Sequence, residues 1–259
     1  HPTGYETINE YMERDFVVPK DFEDYAYVSQ LLQARGMKTA NESHRRAKPY
    51  CMGTLYWQFN DCWPVTSWSS LDYYGNWKAF HYQAKRSFEN LLFSIEEGND
   101  SYRVYIVNDD LKQYSGELVI DLIDFNGTKL WNKKIIFIAS ENSSKIHFEI
   151  PKKDFLAYNL KQAVLSVSFP PLEQIYTRHY FFKPKDLQIT KPNIQIKAID
   201  EVTIEIYSDV LAKDVFLSSE NEVFFEDNYF DLLPNEKRII KFSKPVQNIK
   251  VKSLFDTLK

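Results

Sequence analysis

Between residues 91 and 182 the chain breaks into short runs in which apolar and polar residues alternate, and that period of two limits what it can fold into. Seven runs have strand character: 92–95, 103–108, 116–124, 128–138, 145–150, 163–169 and 175–182. Turn signals such as Asn126-Gly127 separate them. Seven strands in about 95 residues, each with one face to bury, predict an immunoglobulin-like β-sandwich. After Lys183-Pro184-Lys185 a second set follows at 193–198, 202–207, 215–218, 238–242 and 249–252. About 70 residues of this kind predict a smaller sandwich. Neither set repeats at a solenoid period.

Residues 1 to 90 follow another grammar. Tyr5, Ile8, Tyr11, Met12 and Phe16 have helical spacing, and Pro19 closes that segment. A second helix is expected over 22–34, capped by Asp21 and ended by Gly36, and a third over 39–47. A strand over 50–59, a long aromatic loop over 60–76 and a helix over 77–88 complete the segment. Helix, strand, loop, helix is the order of a parallel α/β unit, and a single convincing strand is too few for a complete parallel sheet.

Composition narrows the function. Apolar residues make up 44% and charged residues 26%, as in soluble globular proteins, which removes disordered and collagen-like readings. Lys+Arg 32 against Asp+Glu 36 leaves a net charge of -4 with no basic stripe, so nucleic acid and anionic membrane are poor partners. Apolar runs such as 135–139 are far too short to span a bilayer. The 16% of aromatic residues against 7 Gly suits sheets and stacking surfaces. The chain opens on His1 with nothing near it resembling a signal peptide, so it reads as a piece of something longer. With 50–59 extended, Cys51 and Cys62 would sit roughly 30 Å or more apart, beyond disulfide reach, and are expected as free, buried thiols.

The densest chemical signal is the stretch from Gly53 to Trp77, which holds four of the five Trp. Pleating places Gly53, Leu55 and Trp57 on one face and Thr54, Tyr56 and Gln58 on the other. A Trp at the C-terminal end of a parallel strand, followed by polar Asn60 and Asp61, stands where such folds keep their active sites. Indole faces match the C–H faces of sugar rings, and carboxylates and amides match sugar hydroxyls. The same aromatics would equally serve to pack a long loop. His1, His44, His81, His147 and His179 lack metal-ligand spacing, and no phosphate loop or nucleophile elbow appears. No cofactor is expected. Glycosylation sequons begin at Asn41, Asn99, Asn126 and Asn142, most of them explained by chance in a chain rich in Asn and Ser.

Longer motifs carry a resemblance. The stretches His1-Pro2-Thr3-Gly4, His44-Arg45-Arg46, Pro49-Tyr50-Cys51-Met52-Gly53-Thr54-Leu55-Tyr56-Trp57-Gln58, Asn60-Asp61-Cys62-Trp63-Pro64 and Ser67-Trp68-Ser69-Ser70 strongly resemble the β-mannosidases of glycoside hydrolase family two. Asp72-Tyr73-Tyr74-Gly75 with Trp77-Lys78-Ala79 resembles them too, and 225–234 resembles a turn in their last sandwich. β-Galactosidase and β-glucuronidase relatives share the barrel and the Trp but not the 60–64 run. The resemblance implies residues 1–90 as the last strand and flanking helices of a (β/α)8 barrel, 91–186 as an immunoglobulin-like sandwich and 187–259 as a smaller one. A barrel needs roughly 250 residues, so the rest would lie upstream.

It also implies a retaining hydrolase, with two Glu about 5–5.5 Å apart acting on terminal β-linked mannose of oligosaccharides. In the family these Glu end barrel strands four and seven, and the Ser-Glu-Phe-Gly type signature of strand seven is absent here. Glu6, Glu10, Glu13, Glu23 and Glu42 read as solvated helix faces, so no catalytic residue is assigned in this chain. The implied substrate-binding residues are Trp57, as a wall of the pocket, and Asn60, Asp61 and Trp63 on the loop bordering it. Asp61 would bond a sugar hydroxyl or brace the loop. The His44-Arg45-Arg46 cluster would pair with barrel carboxylates or form an exposed basic turn. The implied partners are a β-mannoside oligosaccharide and the rest of the parent chain, and the implied location is extracytoplasmic. Against this stands a non-catalytic carbohydrate-binding or scaffolding module, although Trp131, the sole Trp of the sandwiches, reads as core.

Overall fold

The computed structural model describes residues 3–258; His1 and Pro2, which open the first motif, and Lys259 lie outside the described residues. Three helices come first: α1 (Gly4–Asp15), α2 (Phe22–Arg46) and α3 (Ala79–Ser87). Asp21 caps α2, its carboxylate accepting the Asp24 amide N–H at 2.9 Å. The helices expected over 22–34 and 39–47 are one, because α2 continues through Gly36. A glycine inside a helix costs about 1 kcal/mol. Leu31 and Ala34 before Gly36, and Asn41 and Arg45 after it, are buried, and those contacts outweigh the local cost.

Residues 50–59 form no strand. Their side chains alternate as a strand's would, yet no other strand lies alongside to complete a ladder, and backbone pairing is what makes a strand. Their carbonyls turn instead to the returning loop: the Ser70 N–H donates to Gln58 at 3.0 Å and the Leu71 N–H to Phe59 at 2.9 Å. The thiols are free, as expected, but not buried, since Cys62 is exposed and Cys51 half-exposed.

All seven strands expected in the first sandwich are present, with ends moved by one or two residues. β1 (Leu91–Glu97), β2 (Ser101–Asn108) and β5 (Ser143–Pro151) make one sheet in the order β1-β2-β5. β3 (Tyr114–Asp124), β4 (Lys129–Ala139), β6 (Ala163–Ser168) and β7 (Tyr176–Tyr180) make the other, in the order β4-β3-β6-β7. Every neighbouring pair is antiparallel. Val104 and Ile106 from one sheet meet Leu118, Ile120, Leu122 and Leu165 from the other in a closed core. Trp131 packs edge-on against Phe155 with centroids 5.5 Å apart, so it belongs to that core. His179 packs against the rings of Tyr102 and Phe181, where burial pulls its pKa down to about 4 against the opposing charge of Glu97. Of the four sequons, Asn41 is buried in α2, while Asn99, Asn126 and Asn142 sit in exposed turns.

The second sandwich pairs the sheet β12-β9-β8 with the sheet β11-β10-β13. Its strands are β8 (Ile194–Asp200), β9 (Thr203–Ser208), β10 (Ala212–Ser218), β11 (Phe230–Leu232), β12 (Lys237–Lys241) and β13 (Lys250–Lys252). Three-residue β11 was not expected. β6 is buried on both faces: Leu165 and Val167 enter the first core, and Val164 meets Phe125, Leu187 and Leu211 where the sandwiches join. Met12, Phe16, Tyr27, Val28 and Leu31 of the helical segment pack with Leu254 from the far end of the chain. No described helix is long and apolar enough to cross a membrane.

Candidate functional site

The segment 50–59 is a ribbon with two unlike faces. Its inner face is tied down: Thr54 Oγ1 lies 3.0 Å from His44 Nδ1, and the Tyr56 hydroxyl lies 3.0 Å from Ser70 Oγ. The Tyr56 ring meets Phe80 edge-on at 4.7 Å. Its outer face carries Leu55, Trp57 and Phe59, of which Trp57 is 72% exposed. This is the division of faces that the residue alternation predicts. The loop that follows adds Asn60, Trp63 and Trp68, all exposed. Trp57, Asn60 and Trp63 are thus brought out together, while Trp77 is folded onto His81, Tyr82 and Phe224.

Asp61 points the other way. Only 5% exposed, its carboxylate accepts hydrogen bonds from Gln58, Ser67, Ser69 (2.6 Å) and the Lys78 ammonium (3.2 Å). Burial raises its pKa, but the two hydroxyls and Lys78 outweigh that and hold it below the usual carboxylate range. Four donors on two oxygens leave little acceptor capacity for a sugar. In this chain the geometry favours the brace over the hydroxyl partner. Lys78 stands just before α3, so Asp61 fastens the aromatic loop to that helix.

The His44-Arg45-Arg46 cluster divides: His44 is exposed, Arg46 lies 4.0 Å from Glu42 of α2, and Arg45 turns to the first sandwich. Arg45 is buried and joins the end of α2 to the first sandwich, donating to the carbonyls of Ser87 (2.5 Å) and Glu89 (2.7 Å) and pairing with Asp109 at 3.0 Å. Arg46 donates to Ser94 Oγ at 2.6 Å. A basic run at a helix end reads as exposed only when nothing follows to cover it, and here the first sandwich does. Glu42 departs from expectation for the same reason: it is buried, pairs with Lys38 at 2.7 Å and accepts from Ser94 at 2.7 Å. Glu6, Glu10, Glu13 and Glu23 lie on exposed helix faces.

Lys78, Ser67 and Ser69 were missed as partners of Asp61. Their signal was the density of short hydroxyl side chains around one carboxylate, which sequence order does not resolve. The run 225–234 also proves structural. Asp227 pairs with Arg86 (2.5 Å) and Arg238 (2.8 Å), and Asn228 closes both amide bonds with the Leu217 backbone at 2.8 Å. The Tyr82 hydroxyl donates to the Phe225 carbonyl at 3.0 Å, so this run seats α3 on the second sandwich. Among the described residues, no group of His, Cys, Asp or Glu is arranged to hold a metal ion.

Comparison with known proteins places this geometry. Residues 100–186 match the family described as a mannosidase Ig/CBM-like domain, and residues 189–257 match an Ig-fold domain family of mannosidases. The β-mannosidase of Mus musculus is 35% identical over 148 residues, which is 53% of this chain and 17% of that one. β-Mannosidase A of Aspergillus flavus is 26% identical over 271 residues, covering 91% of this chain and 29% of that one. The crystal structure of β-D-mannosidase from Dictyoglomus thermophilum superposes with a TM-score of 0.87 at 30% identity, over 97% of this chain and 32% of that one. The chain spans less than a third of the length of each of these relatives.

Proposed function

The chain belongs with the β-mannosidases of glycoside hydrolase family 2, matching their C-terminal portion, and from that relation we propose that it completes the sugar pocket of a retaining exo-β-mannosidase. In this reading residues 1–90 are the end of a (β/α)8 barrel, and 91–186 and 187–259 are the sandwiches that buttress it. The observation that carries the reading is the ribbon: Leu55, Trp57 and Phe59 are largely exposed on its outer face, while the alternate residues Thr54 and Tyr56 are tied to α2 and to the returning loop behind. A last barrel strand needs that arrangement, its helix-facing side already packed and its other side awaiting the remaining strands. Trp57 then walls the pocket, Asn60 and Trp63 border it, and Asp61 holds their loop in place. The two Glu of the double displacement belong to the parent chain, so residues 1–259 alone are inactive. The parent would remove terminal β-D-mannose from oligosaccharides.

The test is enzymatic. The full-length gene product is expected to hydrolyse p-nitrophenyl β-mannoside and to release mannose whose anomeric configuration, followed by proton NMR, is retained. In that protein Trp57→Ala is expected to lower kcat/KM at least tenfold, about 1.4 kcal/mol of transition-state stabilisation. An inactive full-length product, or inverted configuration, overturns the reading.

A further inference from the structure

A second concavity lies apart from the ribbon, between the loop 72–78 and the second sandwich, with a volume of about 660 Å³. Its size is that of small-molecule sites. One wall is aromatic: Trp77 meets Phe224 edge-on at 4.8 Å, and Phe224 keeps 40% of its surface exposed. The loop is held open in its shape by Asp72, whose carboxylate accepts the amide N–H groups of Tyr74 and Asn76, both at 2.9 Å.

Three polar groups in the cleft are left over. Gln30 accepts from the Ala79 N–H (3.1 Å) and the Tyr229 hydroxyl (3.3 Å) through Oε1, which fixes its amide and leaves Nε2 without a partner among the described residues. Glu222 and Lys244 line the same cleft, are exposed and make no ion pair or hydrogen bond among the described residues. A fixed amide donor, a free carboxylate, a free ammonium and an aromatic wall around one hollow form a set that matches a pyranose ring, with C–H groups for the aromatics and hydroxyls for the polar groups. The match to a nonpolar ligand is poor, because it would bury the unpaired carboxylate and ammonium at a cost.

We propose that this cleft binds a neutral saccharide, holding a sugar unit outside the pocket bordered by Trp57. Ring contacts connect the two places. Phe59 beside the ribbon's end meets His81 at 5.7 Å, His81 meets Trp77 at 4.2 Å, and Trp77 meets Phe224. A run of ring contacts therefore links the cleft to Phe59 at the end of the ribbon. The choice of a mannoside as probe rests on the reading above; the cleft itself does not.

Calorimetric titration of the 259-residue chain with β-1,4-mannotriose tests the proposal. The chain is expected to bind with a dissociation constant of about 1 mM. Glu222→Gln and Lys244→Ala are each expected to weaken binding at least threefold with an unchanged circular dichroism spectrum, while Lys133→Ala, exposed on β4 of the first sandwich, keeps the wild-type affinity. Absence of binding well above that concentration overturns the proposal, as does wild-type affinity in both cleft variants. Loss of binding in Trp57→Ala alone would place the sugar on the ribbon, overturning the cleft and leaving the proposed function intact. Binding in the cleft together with an inactive full-length product would overturn the proposed function and leave the cleft standing.

Discussion

Asp61 shows how one buried carboxylate can hold an exposed loop from behind. Its four donors are side chains, and one of them, Lys78, is itself largely buried. Asp61→Ala is therefore expected to leave an uncompensated ammonium and to cost on the order of 3 kcal/mol, read from the urea midpoint. Asp61→Ala combined with Lys78→Met should recover part of that loss. The pH dependence has a definite sign. Because the folded carboxyl is held below its unfolded value, its contribution is present above about pH 4 and is lost as pH falls through the lowered value. The Asp61→Ala variant should therefore lose less stability than the wild type across that acid range. Equal loss in both would show that the brace carries no linked proton.

At the level of elements, the strands were legible because each buries one face, and one-sided burial writes itself into sequence as alternation. β6 is the informative case: it is buried on both faces, its apolar residues Ala163, Val164, Leu165 and Val167 are broken only by small serines, and the second face is explained by the junction with Leu187 and Leu211. What sequence could not supply were contacts between elements. Gly36 looked like a helix end because its neighbours' burial is invisible in order, and 50–59 looked like a strand because alternation does not say whether a partner exists. Asp61 reads from sequence as a sugar partner or a loop brace, and only its contacts in space separate the two. The β3–β4 turn gives a prediction at this scale. Gly127 adopts φ +96°, and an added Cβ would stand 2.9 Å from Pro234 Cβ in the second sandwich. Gly127→Ala is expected to cost about 1–3 kcal/mol through strain and the clash at the junction, lowering the thermal midpoint. An unchanged midpoint would mean the two sandwiches yield there freely.

For the whole molecule, the outward ribbon and its loop leave Tyr50, Leu55, Trp57, Phe59, Trp63 and Trp68 exposed. A high density of exposed large apolar side chains promotes association. The isolated 259-residue chain is expected to self-associate in light scattering, and Leu55→Lys with Phe59→Lys to shift it toward the monomer; a monomeric wild type at high concentration would contradict this. Behind that surface the core of the helical segment joins Met12, Phe16 and Tyr27 to Leu254. That contact has a consequence for biosynthesis. Leu254 follows Leu31 by more than 220 residues, so the helices are made well before the residue that packs against their core. At 5–20 residues per second, the early helices wait on the order of tens of seconds with an open flank. During that interval they are natural clients for a chaperone, and a slowed codon stretch near residue 254 would lengthen their exposure.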